Sequence, residues 1–265
     1  MNDCRGCPPK PNYRILRTKN VPNDFQSTYV EGKAGLMKRI VKSAKKCAKV
    51  ILGRDFFYRT QHTCPVERHG SNYGGWVICP VLISDKSVVY SFGIGDDITF
   101  DTSIIAKYGM NVNAFDPTPK SLEWLNSQKL PEGFKFHCLG LADYDGQAIF
   151  HPTKPGAMNH FLRKRVMEGE NGYAVNVNKL STIMAKLGHN EIDILKMDIE
   201  GSEYGVLKDL IQCKLKVSQI LLEFHHFVYN IPVKNTKNAI NLLNKDGYKI
   251  FHLSDNGREF SFIKV

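Results

Sequence analysis

"SVVYSFGIGDDITFDTSIIAKYGMNVNAFD", residues 87–116, decides the architecture. Val88, Val89, Tyr90 and Phe92 make an apolar run of the length of one buried strand. Gly93 and Gly95 follow at once, where glycine permits a tight turn and a close backbone approach. "ITFDTSIIAKYG" then reads as a helix, and "NVNAFD" as a second short strand that ends on Asp116. Strand, glycine turn, helix and strand make one unit of a parallel sheet.

The alternation continues downstream. "PKSLEWLNSQ" reads as a helix and "FKFHCLGLA" as a third strand. After the turn "DYDG", the segments "QAIFHP" and "YAVNVN" read as a hairpin-like insertion. "LSTIMAKLG" is helical, "IDILKMDI" is the fourth main strand, "EYGVLKDLI" is helical and "SQILLEF" is the fifth strand. "TKNAINLLNKDG" is a helix closed by Gly247. "YKIFHLS" and "EFSFIKV" are joined by "DNGR", so these last strands must pair antiparallel. The expected fold class is α/β: a Rossmann-like, mostly parallel sheet over residues 61–265, with helices on both faces and a terminal antiparallel hairpin.

Residues 1–60 differ in kind. They hold 14 basic and 4 acidic side chains, whereas residues 61–265 hold 22 of each, so the net +10 lies in the N-terminal arm. Pro8, Pro9, Pro11 and Pro22 mark residues 1–30 as a loose extension. From Lys33 to Leu52, Leu36, Ile40, Ala44, Cys47 and Ile51 recur at helical spacing among lysines. A basic amphipathic helix suits a membrane surface or nucleic acid, and a helix packed on the main domain with its lysines in water is the plainer reading. The neutral body gives no reason to expect a polyanionic partner, so nucleic acid is not expected. No apolar run reaches about 18 residues, so no transmembrane helix is expected. The first residues lack the apolar core of a signal peptide. Of seven cysteines only Cys4 and Cys7 form a CxxC, without the second pair of a structural zinc site. Reduced thiols and a cytoplasmic setting are the simpler expectation. A disulfide through Cys64 or Cys79 stays open.

The glycine turn and Asp116 together have the spacing of a nucleotide site, since an acid about 20 residues beyond the turn can accept hydrogen bonds from both ribose hydroxyls. A dinucleotide pattern wants a third glycine, and Ile98 stands there. Asp96 and Asp97 are unwelcome beside a pyrophosphate. They are compatible with a ligand that carries an ammonium and a sulfonium and no phosphate, and S-adenosylmethionine is such a ligand. These features favour a methyltransferase over a dehydrogenase.

With "VVYSFGIGDDITFD", "VNAFDPTP", "LADYDG", "IDILKMDIEGSEYGVL" and "ILLEFHH", the chain from about His69 to Val265 resembles the FkbM-type methyltransferases. "LKMDIEGSE" carries most of the resemblance, and "YGGW" at Tyr73–Trp76 adds to it. The resemblance implies a seven-stranded class I methyltransferase fold, S-adenosylmethionine as cofactor, and methyl transfer to an oxygen, often of a sugar or a polyketide-type product. It implies that Gly93 and Gly95, with Ser91 and Asp96 beside them, form the cofactor loop, and that Asp116 is the ribose acid. Asp143 falls where such folds meet the adenine amine, though "DYDG" is also good turn chemistry.

Methyl transfer to an alcohol needs alignment and a fate for the hydroxyl proton. In an open α/β sheet the groups for this belong at the carboxyl ends of the strands. Asp198 ends strand 4; Glu223, His225 and His226 end strand 5. Either Asp198 or a histidine is the general base, or Asp198 and a strand-5 group, Glu223 first, hold Mg²⁺ or Mn²⁺. Glu223 has a plainer alternative as a buried acid paired with Lys196. Glu203 is expected only to offset the dipole of the helix that starts near Ser202, and Glu200 is open between that role and shaping the pocket. "HPTKPGAMNHFLRKR", residues 151–165, reads either as a lid whose His160, Arg163, Lys164 and Arg165 grip an acceptor or as a surface loop. Tyr73 and Trp76 either stack on a sugar or belong to the core. The expected function is an S-adenosylmethionine-dependent O-methyltransferase for a sugar, glycan or related small molecule. The alternatives are an RNA or protein methyltransferase recruited by the basic arm, or an inactive cofactor-binding scaffold.

Overall fold

A computed structural model describes residues 41, 44, 46–53, 55–152, 160–163, 172–226 and 231–265. The chain divides into two units, Met1–Ala48 and Lys49–Val265. Positions 41, 44 and 46–51 are helical, in agreement with the end of the expected basic helix. The proline-rich extension, Cys4 and Cys7 lie outside the described residues. The second unit begins at Lys49, inside the stretch of residues 1–60 that carries the excess charge. Phe56 is buried in its main core, and the Gln61 amide donates to the Ile250 carbonyl at 2.6 Å. Apolar burial, at about 1.5–3 kcal/mol for a full aromatic or aliphatic side chain, outweighs the charge pattern there.

The strands are β1 Glu67–His69, β2 Trp76–Ile78, β3 Val89–Phe92, β4 Val112–Phe115, β5 Phe134–His137, β6 Gly140–Leu141, β7 Gly146–Pro152, β8 His160–Arg163, β9 Tyr173–Asn178, β10 Glu191–Met197, β11 Lys216–Glu223, β12 Tyr248–Leu253 and β13 Glu259–Lys264. The helices used below are α1 Thr99–Tyr108, α2 Pro119–Leu125, α3 Leu180–Leu187, α4 Glu203–Gln212 and α5 Val233–Lys245. The main sheet has seven strands in the order β12-β13-β11-β10-β3-β4-β5. From β11 to β5 neighbours run parallel, and β13 runs antiparallel to both β11 and β12. This is the expected sheet with its terminal hairpin. The insertion pairs as expected too, β7 antiparallel to β9. The segment 151–165 is not all loop, because the backbone of His160–Arg163 forms β8 on β7. Lys164 and Arg165 lie outside the described residues. The antiparallel β1–β2 hairpin ahead of the sheet was not foreseen.

Period-two alternation places side chains on the two faces. Tyr90, Phe92, Leu195 and Met197 enter one core, and Val89 and Ile194 enter the other with Trp76, Phe100 and Ile104. Phe92 and Phe115 stack with centroids 4.2 Å apart at the tips of β3 and β4, below the glycine turn. Ser91 and Lys196 are register partners across β3 and β10, both buried. A charge in that layer must be answered, and it is. The Lys196 amine donates to the carbonyls of Gly93 (2.8 Å) and Phe92 (3.3 Å), lies 5.8 Å from the Trp76 ring centre, and faces the charge of buried Asp101.

Candidate active site

β3 delivers the first half of the site. Gly93 has φ +74°, and a Cβ there would lie 1.7 Å from the Asp198 carbonyl oxygen, so only glycine lets the loop rest on the end of β10. The Gly95 amide donates to Asp116 Oδ2 at 3.0 Å. Asp116 Oδ1 accepts from the Thr118 amide (2.9 Å) and hydroxyl (2.6 Å). Loop, acid and the start of α2 are thus one hydrogen-bonded cradle, and Asp116 Oδ2, which accepts one of these bonds, keeps a lone-pair position for a ligand hydroxyl.

The two aspartates after Gly95 play different parts. Asp96 lines the cavity. Asp97 accepts from the Thr99 hydroxyl (2.6 Å) and amide (2.8 Å) and from the Ser71 hydroxyl (2.7 Å). Burial works against its charge, but these bonds hold its pKa below the ordinary value. Asp97 therefore ties the Ser71–Trp76 loop to the start of α1. A Cβ on Gly74 would stand 2.6 Å from the Asp97 carboxylate, and one on Gly75 2.3 Å from the Ser71 carbonyl, which explains the two glycines of "YGGW". Trp76 is core and also lines the cavity, while Tyr73 stands exposed at its mouth.

β10 and β11 deliver the second half. Asp198 extends the ladder by one bond, its amide donating to Phe92 O at 3.1 Å. Left-handed Glu200 (φ +52°) and Gly201 (φ +104°) then turn the chain into α4. That turn carries Glu203 inward rather than to the surface. Glu203 is 0 % exposed, and its Oε1 accepts from the Gly201 amide (3.0 Å) and lies 2.7 Å from His225 Nδ1. Glu203 sits in the first turn of α4, as the helix-dipole reading expects, and it is more than that, because this turn lies under the tip of β11. His225 Nε2 stands 3.5 Å from both Asp198 Oδ1 and Glu200 Oε2. Burial alone would lower the His225 pKa, but Glu203, with Asp198 and Glu200, raises it to about 10. Burial and the adjacent Asp198 charge push Glu223 up to about 7, and burial raises Asp198 as well.

A single cavity of about 780 Å³ joins the halves. Gly93, Gly95, Asp96, Asp116 and Thr118 line one end, and Asp198, Glu200, Glu223 and His225 the other. Three expected residues lie apart from that lining. Ser91 is buried beneath the loop. The Asp143 carboxylate lies against α4, 2.8 Å from where a Cβ on Gly205 would be, and Asp145 of the same "DYDG" turn caps α3 by accepting from the Lys179 amide at 2.9 Å. His226 turns away: its Nδ1 is 3.2 Å from the Thr236 hydroxyl, its Nε2 3.7 Å from Asp55, and its ring is tilted on Phe56. The amine of Lys196, offered as a partner for Glu223, instead serves the loop carbonyls. Thr118, Asn256, Arg258 and Glu259 also line the cavity and were missed. The last three follow from topology, because a hairpin leaving β12, which runs parallel to β11, turns at the tips where the site lies.

A seven-stranded sheet of this order, with a glycine turn and an acid at the tips of its central strands, defines the class I methyltransferase fold. The family model of the methyltransferase FkbM domain matches residues 69–250, and the chain belongs to that family. Probable methyltransferase-like protein 24 of Homo sapiens is 31% identical over 139 residues, 52% of this chain and 32% of that protein. Its Rattus norvegicus counterpart is 26% identical over 174 residues, 62% of this chain and 42% of that protein. The chain thus spans about a third to two fifths of these relatives. Among solved structures, the FkbM methyltransferase of Methylobacillus flagellatus has a TM-score of 0.43 at 13% identity, covering 69% of this chain and 44% of that one. TrmK of M. capricolum, solved with S-adenosylhomocysteine, has 0.34 at 12%, covering 69% and 62%.

Proposed function

We propose that this chain is an S-adenosylmethionine-dependent O-methyltransferase that methylates a hydroxyl of a sugar, glycan or related small molecule. The observation that carries the reading is the one cavity shared by the Gly93–Asp116 cradle and the strand-tip acids. Its volume falls within the roughly 300–1,000 Å³ of small-ligand sites. The donor set fits the cofactor: the Asp116 carboxylate suits a ribose, and Asp96, Asp198 and Glu223 suit a ligand with an ammonium and a sulfonium. S-adenosylmethionine supplies an electrophilic methyl whose bond to sulfur breaks as the acceptor oxygen bonds to it. The cradle orients that methyl, and the strand tips hold the acceptor oxygen in line with it. Glu223 lies at the acceptor end and takes the hydroxyl proton as general base.

Incubation with methyl-labelled S-adenosylmethionine and a panel of saccharides tests the activity, and calorimetry with S-adenosylhomocysteine tests the cradle. Absence of cofactor binding would refute the proposal. Binding without transfer to any acceptor favours the scaffold reading instead. An RNA acceptor fits less well, because the acids at the cavity would repel phosphates and the neutral body of the chain offers them little. Among the described residues no helix is long and apolar enough to cross a membrane.

A further inference from the structure

We propose that Asp198, Glu200 and His225 form a divalent-cation site at the acceptor end of the cavity, with Glu203 fixing the histidine ring. It rests on the reading of the cavity as a reaction site, and it replaces Glu223 as the partner of Asp198. One ligand atom from each of the three residues lies within 4.8 Å of the other two. Both histidine-to-carboxylate separations are 3.5 Å. That is long for an N–H···O bond, which centres at about 2.9 Å. It matches two donors that share one cation at about 2.1 Å, which stand roughly 3.0–3.5 Å apart.

Two further observations point to a ligand. Asp198 Oδ1 is out of solvent, although the side chain as a whole is 32 % exposed, and it finds no hydrogen-bond partner among the described residues. On the far side of the ring, His225 Nδ1 is held 2.7 Å from the fully buried Glu203 carboxylate. A carboxylate there keeps the proton on Nδ1, so a cation that displaces the Nε2 proton meets a lone pair aimed at the other two ligands, which is how metal-bound histidines are oriented. Two oxygens and one imidazole favour Mn²⁺ over Mg²⁺. Three protein ligands leave coordination positions for the acceptor. The cation lowers the pKa of the bound acceptor hydroxyl, whose proton passes to a cavity carboxylate.

The test uses the full chain stripped with EDTA, titrated with Mn²⁺ and followed by loss of the free-ion electron paramagnetic resonance signal. The expected result is one Mn²⁺ per chain, competed by Mg²⁺. Glu200→Gln should weaken it more than tenfold, and Glu203→Gln, which removes no ligand, by about 10–100-fold. Calorimetry with S-adenosylhomocysteine runs in parallel and reports an intact cradle in each variant. A chain that binds S-adenosylhomocysteine but takes up no Mn²⁺ at about 1 mM overturns the cation site and leaves the methyltransferase reading standing. So does an intact Glu200→Gln that binds Mn²⁺ as the parent does. A chain that binds neither ligand overturns both readings.

Discussion

Gly93→Ala is the most demanding test of how the site is built. An added Cβ would meet the Asp198 carbonyl oxygen at 1.7 Å, and real Cβ atoms keep at least 3.0 Å, so loop and strand end must part by about 1.3 Å. Left-handed φ adds about 1–2 kcal/mol and the forced repacking about 1–3, a total of about 2–5 kcal/mol. Because the displaced backbone carries Asp198, a shift of this size should also cost roughly 100-fold in turnover. Gly95→Ala is the matched control. Its φ is +53° and its Cβ meets no atom within 4 Å, so it pays only the conformational cost of about 1–2 kcal/mol. Urea unfolding and S-adenosylhomocysteine calorimetry on the pair separate the two cases. Gly93→Ala should lose both stability and binding, whereas Gly95→Ala should lose only its backbone cost of about 1–2 kcal/mol. Equal unfolding midpoints and equal affinities for the two variants would refute the contact on which this reasoning depends.

Asp116→Asn removes the charge that accepts from Gly95 and Thr118, and S-adenosylhomocysteine affinity should drop by about 1.5–3 kcal/mol, roughly ten- to hundredfold, in calorimetry. Lys196→Met leaves the Gly93 and Phe92 carbonyls without their cation, and urea unfolding should register a loss of about 3–5 kcal/mol; no loss would mean that the layer tolerates an apolar residue. Burial, with the neighbouring Cys79 thiol, pushes Cys64 up to about 12, so its thiolate fraction grows as pH rises toward that value. Its alkylation, followed by mass spectrometry, should quicken about tenfold per pH unit from 8 to 11, and a plateau below pH 9 would contradict the pairing of half-buried Cys64 with buried Cys79.

The sheet was legible because its signals are local and repeated. Apolar runs of strand length alternate with helical periods, and "DNGR" leaves the last two strands no option but to pair antiparallel. Gly93, Gly95, Asp116 and Asp198 were legible because each ends or follows a strand at the tip where ligands bind. The partners that turn these residues into a site were not. Glu203 looks like any acid in a first helical turn until the left-handed pair Glu200–Gly201 tucks it beneath β11. His225 and His226 are adjacent in sequence, and successive residues point to opposite sides of an extended chain, so only one of them can enter the cavity. Lys196 reads as an exception in an apolar strand, because its acceptors are backbone carbonyls that carry no sequence signal. The burial of Phe56 was not legible either, because net charge marks residues 1–60 more strongly than one phenylalanine marks a core.

The contact between Gly93 and the Asp198 carbonyl makes one piece of backbone the wall of both halves of the cavity. Lys196 rivets that wall from below, through the Gly93 carbonyl on one side and its own place in β10 on the other. A change that loosens the grip on one ligand therefore disturbs the grip on the other. On the proposed function, affinity for the methyl donor and alignment of the acceptor become a single mechanical property, and the hairpin turn at Asn256–Glu259 is one part of the lining through which a new acceptor could be fitted without moving this wall.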